Sequence, residues 1–365
     1  MAVPEELSLQ YIQGVVETNR DADSFLAQYF TPVGNDISGP TVSYDILDYA
    51  RSMARLTSRD GRAPRRPMPT RGTLQYKAPT IKESIELKAS MLKDTRAVGS
   101  LDQNGRADLM QQAVRQTRIR VDQRIEWLRA QWLTGGALLS ATGTVPGDAD
   151  GNVYYDYFAS AADAPLGPAN LGALATHVEA FVPGAFGWNS VSADILGDLN
   201  HAAAVIEADS GITKPELVVL MNPNTHDYLP QNNYIQLFIE SGGLIRDQLE
   251  GTGYITNLWG FEVQSYGAMW HVDTETMNDA EGTEYYIPDN VVVITAKDNV
   301  KAGRELVECE PVDAQAPDGA RGFFAFDDSD GRHPHHPEFG LEWTGGPTFN
   351  VPDAWKVFKD CTATK

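Results

Sequence analysis

The run Arg332-His333-Pro334-His335-His336-Pro337-Glu338 is the one place in this sequence where metal-ligand side chains crowd together. Three imidazoles and a carboxylate are donors that zinc or nickel accepts. The prolines, however, hold the segment extended, whereas zinc ligands usually arrive as two separated pairs, so a surface or interface loop is the expected reading. Asp148-Ala149-Asp150-Gly151 opens like a calcium loop but lacks the glutamate at the twelfth position and reads as a hairpin turn. Gly251-Thr252-Gly253 lacks the third glycine of a dinucleotide fingerprint, and no phosphate-loop, nucleophile-elbow or HExxH motif occurs. His177, His201, His226 and His271 are scattered singles. Cys309 lies between Glu308 and Glu310, which disfavour its thiolate. The chain carries no catalytic constellation and no cofactor signature. A metal-dependent enzyme using His333–Glu338 is the weaker alternative.

Charge is the stronger signal. The 365 residues hold 29 Lys and Arg against 50 Asp and Glu, a formal net charge of −21, which argues against a dedicated nucleic-acid binder. From Arg51 to Trp132, however, there are 18 basic and 8 acidic residues, and between Trp132 and Lys214 there is no Lys or Arg at all. A basic block inside an acidic chain invites the two to meet, within a subunit or between subunits. The apolar runs are far too short to span a bilayer. The first residues show neither a basic nor an apolar signal region, and two cysteines make no disulfide framework, so no secretory signal and a reducing compartment are expected.

The elements that must carry this charge are legible in outline. Tyr11, Ile12, Val15 and Val16 suggest a short helix in an N-terminal arm, and Val42, Tyr44 and Ile46 alternate as a strand does. Between Arg59 and Gly72, three prolines and two glycines exclude a helix, and five arginines exclude a core segment. Strand-like runs beside it predict a long β-hairpin reaching out from the body. Met110, Val114, Thr117, Val121, Ile125, Leu128 and Trp132 recur at spacings of three and four, predicting one helix over 104–135 with Asn104 as its cap and Gly135-Gly136 as its stop. Its other face is lined with arginines. A turn and aromatic-rich strand are expected over Thr144–Phe158. Beyond Asn189 the texture becomes α/β: a helix over 191–209, a buried strand over 217–221, a helix near 225–240, a Gly-rich stretch from Gly242 to Gly260, and strands at 261–266 and 291–296. The tail offers Trp343, Phe349, Trp355 and Phe358 for packing.

Five segments resemble the lambda-type major capsid proteins of tailed phages. They are Phe25-Leu26-Ala27-Gln28-Tyr29-Phe30, Tyr76-Lys77-Ala78-Pro79-Thr80-Ile81-Lys82, the 105–135 helix, Leu217–Pro223, and Tyr285-Tyr286-Ile287-Pro288-Asp289-Asn290. The resemblance implies an α+β chain of the Hong Kong 97-type capsid fold. Its parts would be an N-terminal arm (1–50), an extended loop (51–103), a peripheral domain with a spine helix (104–180), an α/β axial domain (181–310) and a return to the peripheral domain (311–365). It implies hexamers and pentamers of an icosahedral shell enclosing double-stranded DNA without sequence-specific binding. Portal, scaffold and decoration proteins would be partners, the location would be the virion after assembly in the host cytoplasm, and no membrane, cofactor or metal would be involved. Arg62, Arg65, Arg66, Arg71, Lys77 and Lys82 are the candidate subunit-interface residues. Some relatives join subunits through a loop lysine and an asparagine; Lys77, Lys82 and Asn350 supply those types, but the lambda-type branch generally lacks the bond. A phage tail or sheath protein is a second alternative.

Overall fold

The computed structural model describes residues 24–34, 41–47, 71–86, 106–134, 178–179, 187–241, 244–270, 284–311, 320–327, 338–358 and 361. The expected arm helix around Tyr11–Val16, the loop tip before Arg71, the caps of the long helix, the Thr144–Phe158 turn and His333–Pro337 lie outside these residues. In chain order, a single 3-10 turn at Phe25–Tyr29 leads to β1 (Thr31–Gly34), β2 (Thr41–Leu47), β3 (Arg71–Lys77) and β4 (Thr80–Glu86). The long helix α1 (Arg106–Thr134) follows, then β5 (Val178–Glu179), α2 (Ile195–Ser210) and β6 (Leu217–Met221). Three short helices come next: α3 (Pro223–His226), α4 (Asn233–Glu240) and α5 (Leu244–Thr252). Strands β7 (Asn257–Leu258), β8 (Phe261–Ser265), β9 (Met269–Trp270), β10 (Glu284–Tyr285) and β11 (Val292–Ala296) precede α6 (Asn299–Ala302). The chain closes with β12 (Arg304–Glu308), β13 (Phe323–Asp327), β14 (Glu338–Phe349) and β15 (Trp355–Phe358). Among the described residues no helix is long and apolar enough to cross a membrane.

The chain divides into two units. The first comprises Met1–Val42, Tyr76–Arg129 and Leu306–Pro347. Its sheet runs β1-β12-β14-β13, with β4 also on β14. Strand β14 pairs antiparallel with β13 through Phe339–Trp343 and, over the same stretch, with β4 through Glu338–Thr344. Gly340 stands opposite Phe326, and a Cβ there would come within 2.3 Å of the ring, so only glycine lets the aromatic lie flat across the strand. Helix α1 is 29 residues long, as its periodicity predicts. The predicted stripe is buried at Val114, Thr117, Val121, Ile125, Leu128 and Trp132. The narrow-stripe expectation fails in the last third, however. Glu126, Trp127, Ala130, Leu133 and Thr134 are buried as well, because here the helix is covered on several sides.

The second unit comprises Ser43–Gln75, Ala130–Glu305 and Thr348–Lys365. Its six-stranded sheet runs β5-β15-β11-β6-β8-β7. Strand β11 is antiparallel to both β15 and β6, while β6 is parallel to β8. Every residue of β6 and β11 is buried, which is why both read as continuous apolar runs rather than alternating ones. Leu199, Ala202, Ala203 and Ile206 of α2 share one core cluster with Leu217, Val219, Met221, Ile294 and Phe358. Each fully buried Leu, Ile or Phe there contributes about 1.5–3 kcal/mol. Asp194 caps α2 by accepting from the Gly197 N–H at 2.8 Å, and Gly211 ends it at φ 80°.

One expectation for this region needs correction. The predicted helix near 225–240 is two helices, because Asn232 turns out of line and caps a new one. Its Oδ1 accepts from the Tyr234 N–H at 3.0 Å, and its Nδ2 donates to the Ala193 carbonyl at 2.8 Å. Within the Gly-rich stretch Gly242–Gly260, Leu244–Thr252 is helical, with Ile245 buried and Gly251 in its last turn.

Candidate assembly interface

The sequence-predicted contact residues fall into three groups. Arg62, Arg65 and Arg66 lie outside the described residues. Arg71 and Lys77 are the first and last residues of β3, which pairs with β2, so the chain that leaves at Leu47 re-enters the same two-stranded sheet at Arg71. Lys82 sits in β4 directly opposite Glu342 of β14. Its Nζ lies 3.1 Å from Glu342 Oε2 and 5.5 Å from the Phe326 ring centre. Glu342 is fully buried, whereas the Lys82 side chain keeps 45% of its surface exposed.

The arginine face of α1 is largely engaged within the subunit. Arg118 donates from Nε to Asp122 Oδ2 at 2.8 Å, and its guanidinium lies over the Phe323 ring. Burial pushes the Asp122 carboxyl up, against the pull of Arg118. Arg120 Nη1 donates to Glu83 Oε1 at 2.7 Å, tying α1 to β4. Arg124 stacks on Trp127, with 4.2 Å between the guanidinium carbon and the ring centre. Arg129 donates to Glu126 Oε2 at 2.9 Å, and Glu126 Oε1 accepts from the Leu26 N–H at 2.6 Å. Arg118, Arg120 and Arg129 of the basic block therefore pair with carboxylates of their own unit. Sequence reasoning missed Glu126, which sits among the apolar positions of α1 with no local signal of its partner 100 residues away.

Among the described residues no chemistry gathers around the isolated histidines. His226 is buried beside Tyr254, its Nε2 3.2 Å from the Ile255 carbonyl oxygen, and burial pushes its pKa down, so it is neutral. His201 is exposed, and His177 and His271 lie outside the described residues. Glu338 is the first residue of β14, paired with Glu86. Cys309 and Cys361 are free and buried. Gly253 holds φ 75° in the turn after α5, where Gln248 Oε1 accepts from the Thr256 and Asn257 N–H groups; this is a helix-to-strand connection closed on itself. Among the described residues no group of three or more His, Cys, Asp or Glu could hold a metal ion.

Two segments that resemble the capsid proteins meet in space. Asn222 follows β6 and caps α3, whose first residue is Pro223. Its Nδ2 donates to Asp289 Oδ1, and Asn224 Nδ2 donates to the same oxygen at 3.0 Å. Next to it, the Asn290 N–H donates to Thr225 Oγ1 at 3.0 Å while Asn290 itself sits at φ 64°. The Asn-Pro after β6 and the Pro-Asp-Asn before β11 thus form one hydrogen-bonded corner that sets the pairing of the two central strands.

Residues 8–165 match the family model of phage major capsid protein E, a stretch that holds β1–β4 and α1. No curated protein matches the chain by sequence. Among solved structures, a phage-related protein from Bordetella bronchiseptica superposes with a TM-score of 0.53 at 13% identity, covering 97% of each chain. A protein described as a prophage capsid protein from Escherichia coli gives 0.54 at 11% identity, covering 98% of this chain and 99% of its own. The chain is α+β, and its fold is the one these solved structures share, the Hong Kong 97 capsid type.

Proposed function

We propose that the chain is the principal head subunit of a tailed double-stranded DNA phage, assembling into hexamers and pentamers of an icosahedral shell around the genome. The observation that carries this reading is the agreement of two independent likenesses. A capsid family matches residues 8–165 by sequence, and a capsid fold covers 98% of the chain. In this reading residues 1–50 are the arm, 51–103 the extended loop, 104–180 the peripheral domain, 181–310 the axial domain and 311–365 the return segment. The subunit has no catalytic role. It works in the virion after assembly in the host cytoplasm, with portal, scaffold and decoration proteins as partners. At a net charge of −21 it encloses duplex DNA rather than gripping it.

Arg62, Arg65, Arg66, Arg71, Lys77 and Lys82 contact a neighbouring subunit in this reading. Opposite charges repeated around every ring steer neighbours and set register even though one exposed pair is worth no more than about 1 kcal/mol. Arg65→Glu with Arg66→Glu should leave a folded subunit of near-normal melting that fails to build shells. Normal shells, or a subunit that cannot fold, would remove these residues from the interface. Negative-stain microscopy of the purified full chain tests the function itself. Closed shells are expected, tubes would favour the tail or sheath alternative, and discrete small particles under all assembly conditions would sink the capsid reading.

A further inference from the structure

Helix α4 turns apolar side chains to solvent as well as to the core. Ile235 is buried and Ile239 packs on the core of the second unit. Tyr234, Leu237 and Phe238 point outward with 56%, 63% and 46% of their surface exposed. Their spacing of three and four residues makes one ridge along the helix. Val191, 50% exposed, adjoins it, since its carbonyl accepts from the Asn233 N–H at 2.8 Å. One exposed apolar side chain is ordinary; a contiguous group marks a contact surface. A recess of about 80 Å³ lies beside the ridge, lined by Ile195, Ile235, Phe238 and Trp259, with Asp194 also in its wall. Trp259 meets Phe238 edge-on, 5.0 Å between ring centres, and holds φ 50° in the two-residue turn between β7 and β8. A left-handed backbone is unfavourable for so bulky a residue, and a wall built in spite of it points to use.

The charge around this ridge is one-sided. From Gly187 to Glu250 the chain carries nine acids and two bases, Lys214 and Arg246. Lys214 is already engaged, its Nζ 4.3 Å from the centre of the Phe261 ring and donating to Asn200 Oδ1 at 2.8 Å. Glu240, three residues beyond Leu237, is exposed, as are Asp247 and Glu250 on α5, which packs against α4. We propose that this face takes a cationic amphipathic helix of a different protein, an inference that stands apart from the capsid reading. The apolar stripe of that helix would lie along Tyr234, Leu237 and Phe238, and its lysines or arginines would meet Glu240 and the acids of α5. Charge selects among the occupants. Nucleic acid and an anionic bilayer are repelled by the carboxylates, and so is a second copy presenting this same face. A purely apolar partner would leave those carboxylates desolvated and unpaired.

The test uses the full-length chain and, as probe, a synthetic helical peptide of leucine and lysine in amphipathic order, followed by fluorescence anisotropy at about 0.15 M salt. The wild type should bind it. Leu237→Gln should weaken binding by about tenfold, the loss expected for a central apolar contact. Val300→Gln, at a site 82% exposed on α6 of the same unit, should bind as the wild type does. Glu240→Gln should bind about threefold more weakly, with a shallower salt dependence. A leucine–glutamate peptide of the same pattern should bind at least about tenfold more weakly than the lysine one. Circular dichroism and melting verify each fold, and Leu237→Ala keeps the test decisive should Leu237→Gln fold poorly. No binding by the wild type, equal binding of the leucine–glutamate peptide, or unchanged binding in the Leu237 variants would overturn the proposal. A folded Leu237→Gln chain that also loses self-assembly would assign the face to a second copy and overturn it as well.

Discussion

The central strands of the second unit and the helix and sheet of the first bury different things. In the second, β6 and β11 place ten consecutive-run residues in the interior, and only Thr295 among them carries a polar side chain, which accepts from Arg304. In the first, helix and sheet bury carboxylates: Glu126 beneath the 3-10 turn and Glu342 beneath Lys82. Apolar area is non-directional and tolerates small shifts, whereas a buried carboxylate demands its partners at fixed positions. The pairing of Lys82 with Glu342 across β4 and β14 illustrates the second strategy. A slip of one residue would send Lys82 to the opposite face and strand the acid.

The widest separation between the two strategies should come from Glu126→Ala. It removes the acceptor of the Leu26 N–H and the ion-pair partner of Arg129, a largely buried cation. A loss of about 3–5 kcal/mol is expected in urea unfolding. Glu126→Gln, which keeps the shape and an acceptor, should lose less. A loss below about 1 kcal/mol for the alanine variant would break the comparison, because the first unit would then be held by apolar contacts alone.

Leu199→Ala is the counterpart in the second unit. Leu199 is fully buried between α2 and the sheet, and its truncation should cost about 2–5 kcal/mol. The loss should not change with salt, since no charge is involved. A salt-dependent loss would show that the cluster is coupled to the ion pairs at its surface.

The same contrast governs what could be read from the sequence. Leu217–Met221, Val292–Ala296 and the stripe of α1 were legible because burial writes itself as periodicity or as a continuous run. The corner between Asn222 and Asp289 was legible only as two separate signals, because nothing local shows that residues 67 apart will meet. Glu126, and Lys82 with Glu342, were not legible as pairs at all. A buried charge looks like a solvated one until its partner is placed. The split of the expected 225–240 helix escaped for a smaller reason: α3 ends at His226 and only six residues of turn lead to α4 at Asn233, a short break against a pattern read over several turns.

Acid-base behaviour sharpens the picture within the second unit. Burial pushes the Asp198 carboxyl up to about 6, partly opposed by the Trp188 Nε1–H, which donates to Asp198 Oδ2 at 3.0 Å. The folded state therefore holds a proton that the unfolded chain, near the ordinary carboxylate value, has lost. This contribution to stability is fully present below about pH 4, falls as pH rises towards 6, and is absent above that. Asp198→Asn retains an acceptor for Trp188 and should flatten this slope, leaving the variant at least as stable as the wild type at pH 7. A variant that is less stable at pH 7, with the slope intact, would show that the charge is wanted where it is.

The smallest effect is expected at Glu216, where the sign reverses. The Lys301 ammonium, followed by the Thr213 N–H and hydroxyl, holds the Glu216 carboxyl down to about 2. Both Thr213 groups donate to Glu216 Oε2 at 3.0 Å, closing the turn that enters β6. A depressed carboxylate contributes stability above its unfolded pKa of about 4.5 and loses it as pH falls towards 2. The pair is solvent-exposed, so screening keeps the contribution slight and salt should erase most of it. Glu216→Gln keeps an acceptor for Thr213 and deletes only the charge. It should melt slightly below the wild type at pH 7 in low salt and match it at pH 2 or in high salt. A difference that persists at pH 2 would assign the role of Glu216 to its hydrogen bonds with Thr213. The second unit would then owe even its surface turn to geometry rather than to charge.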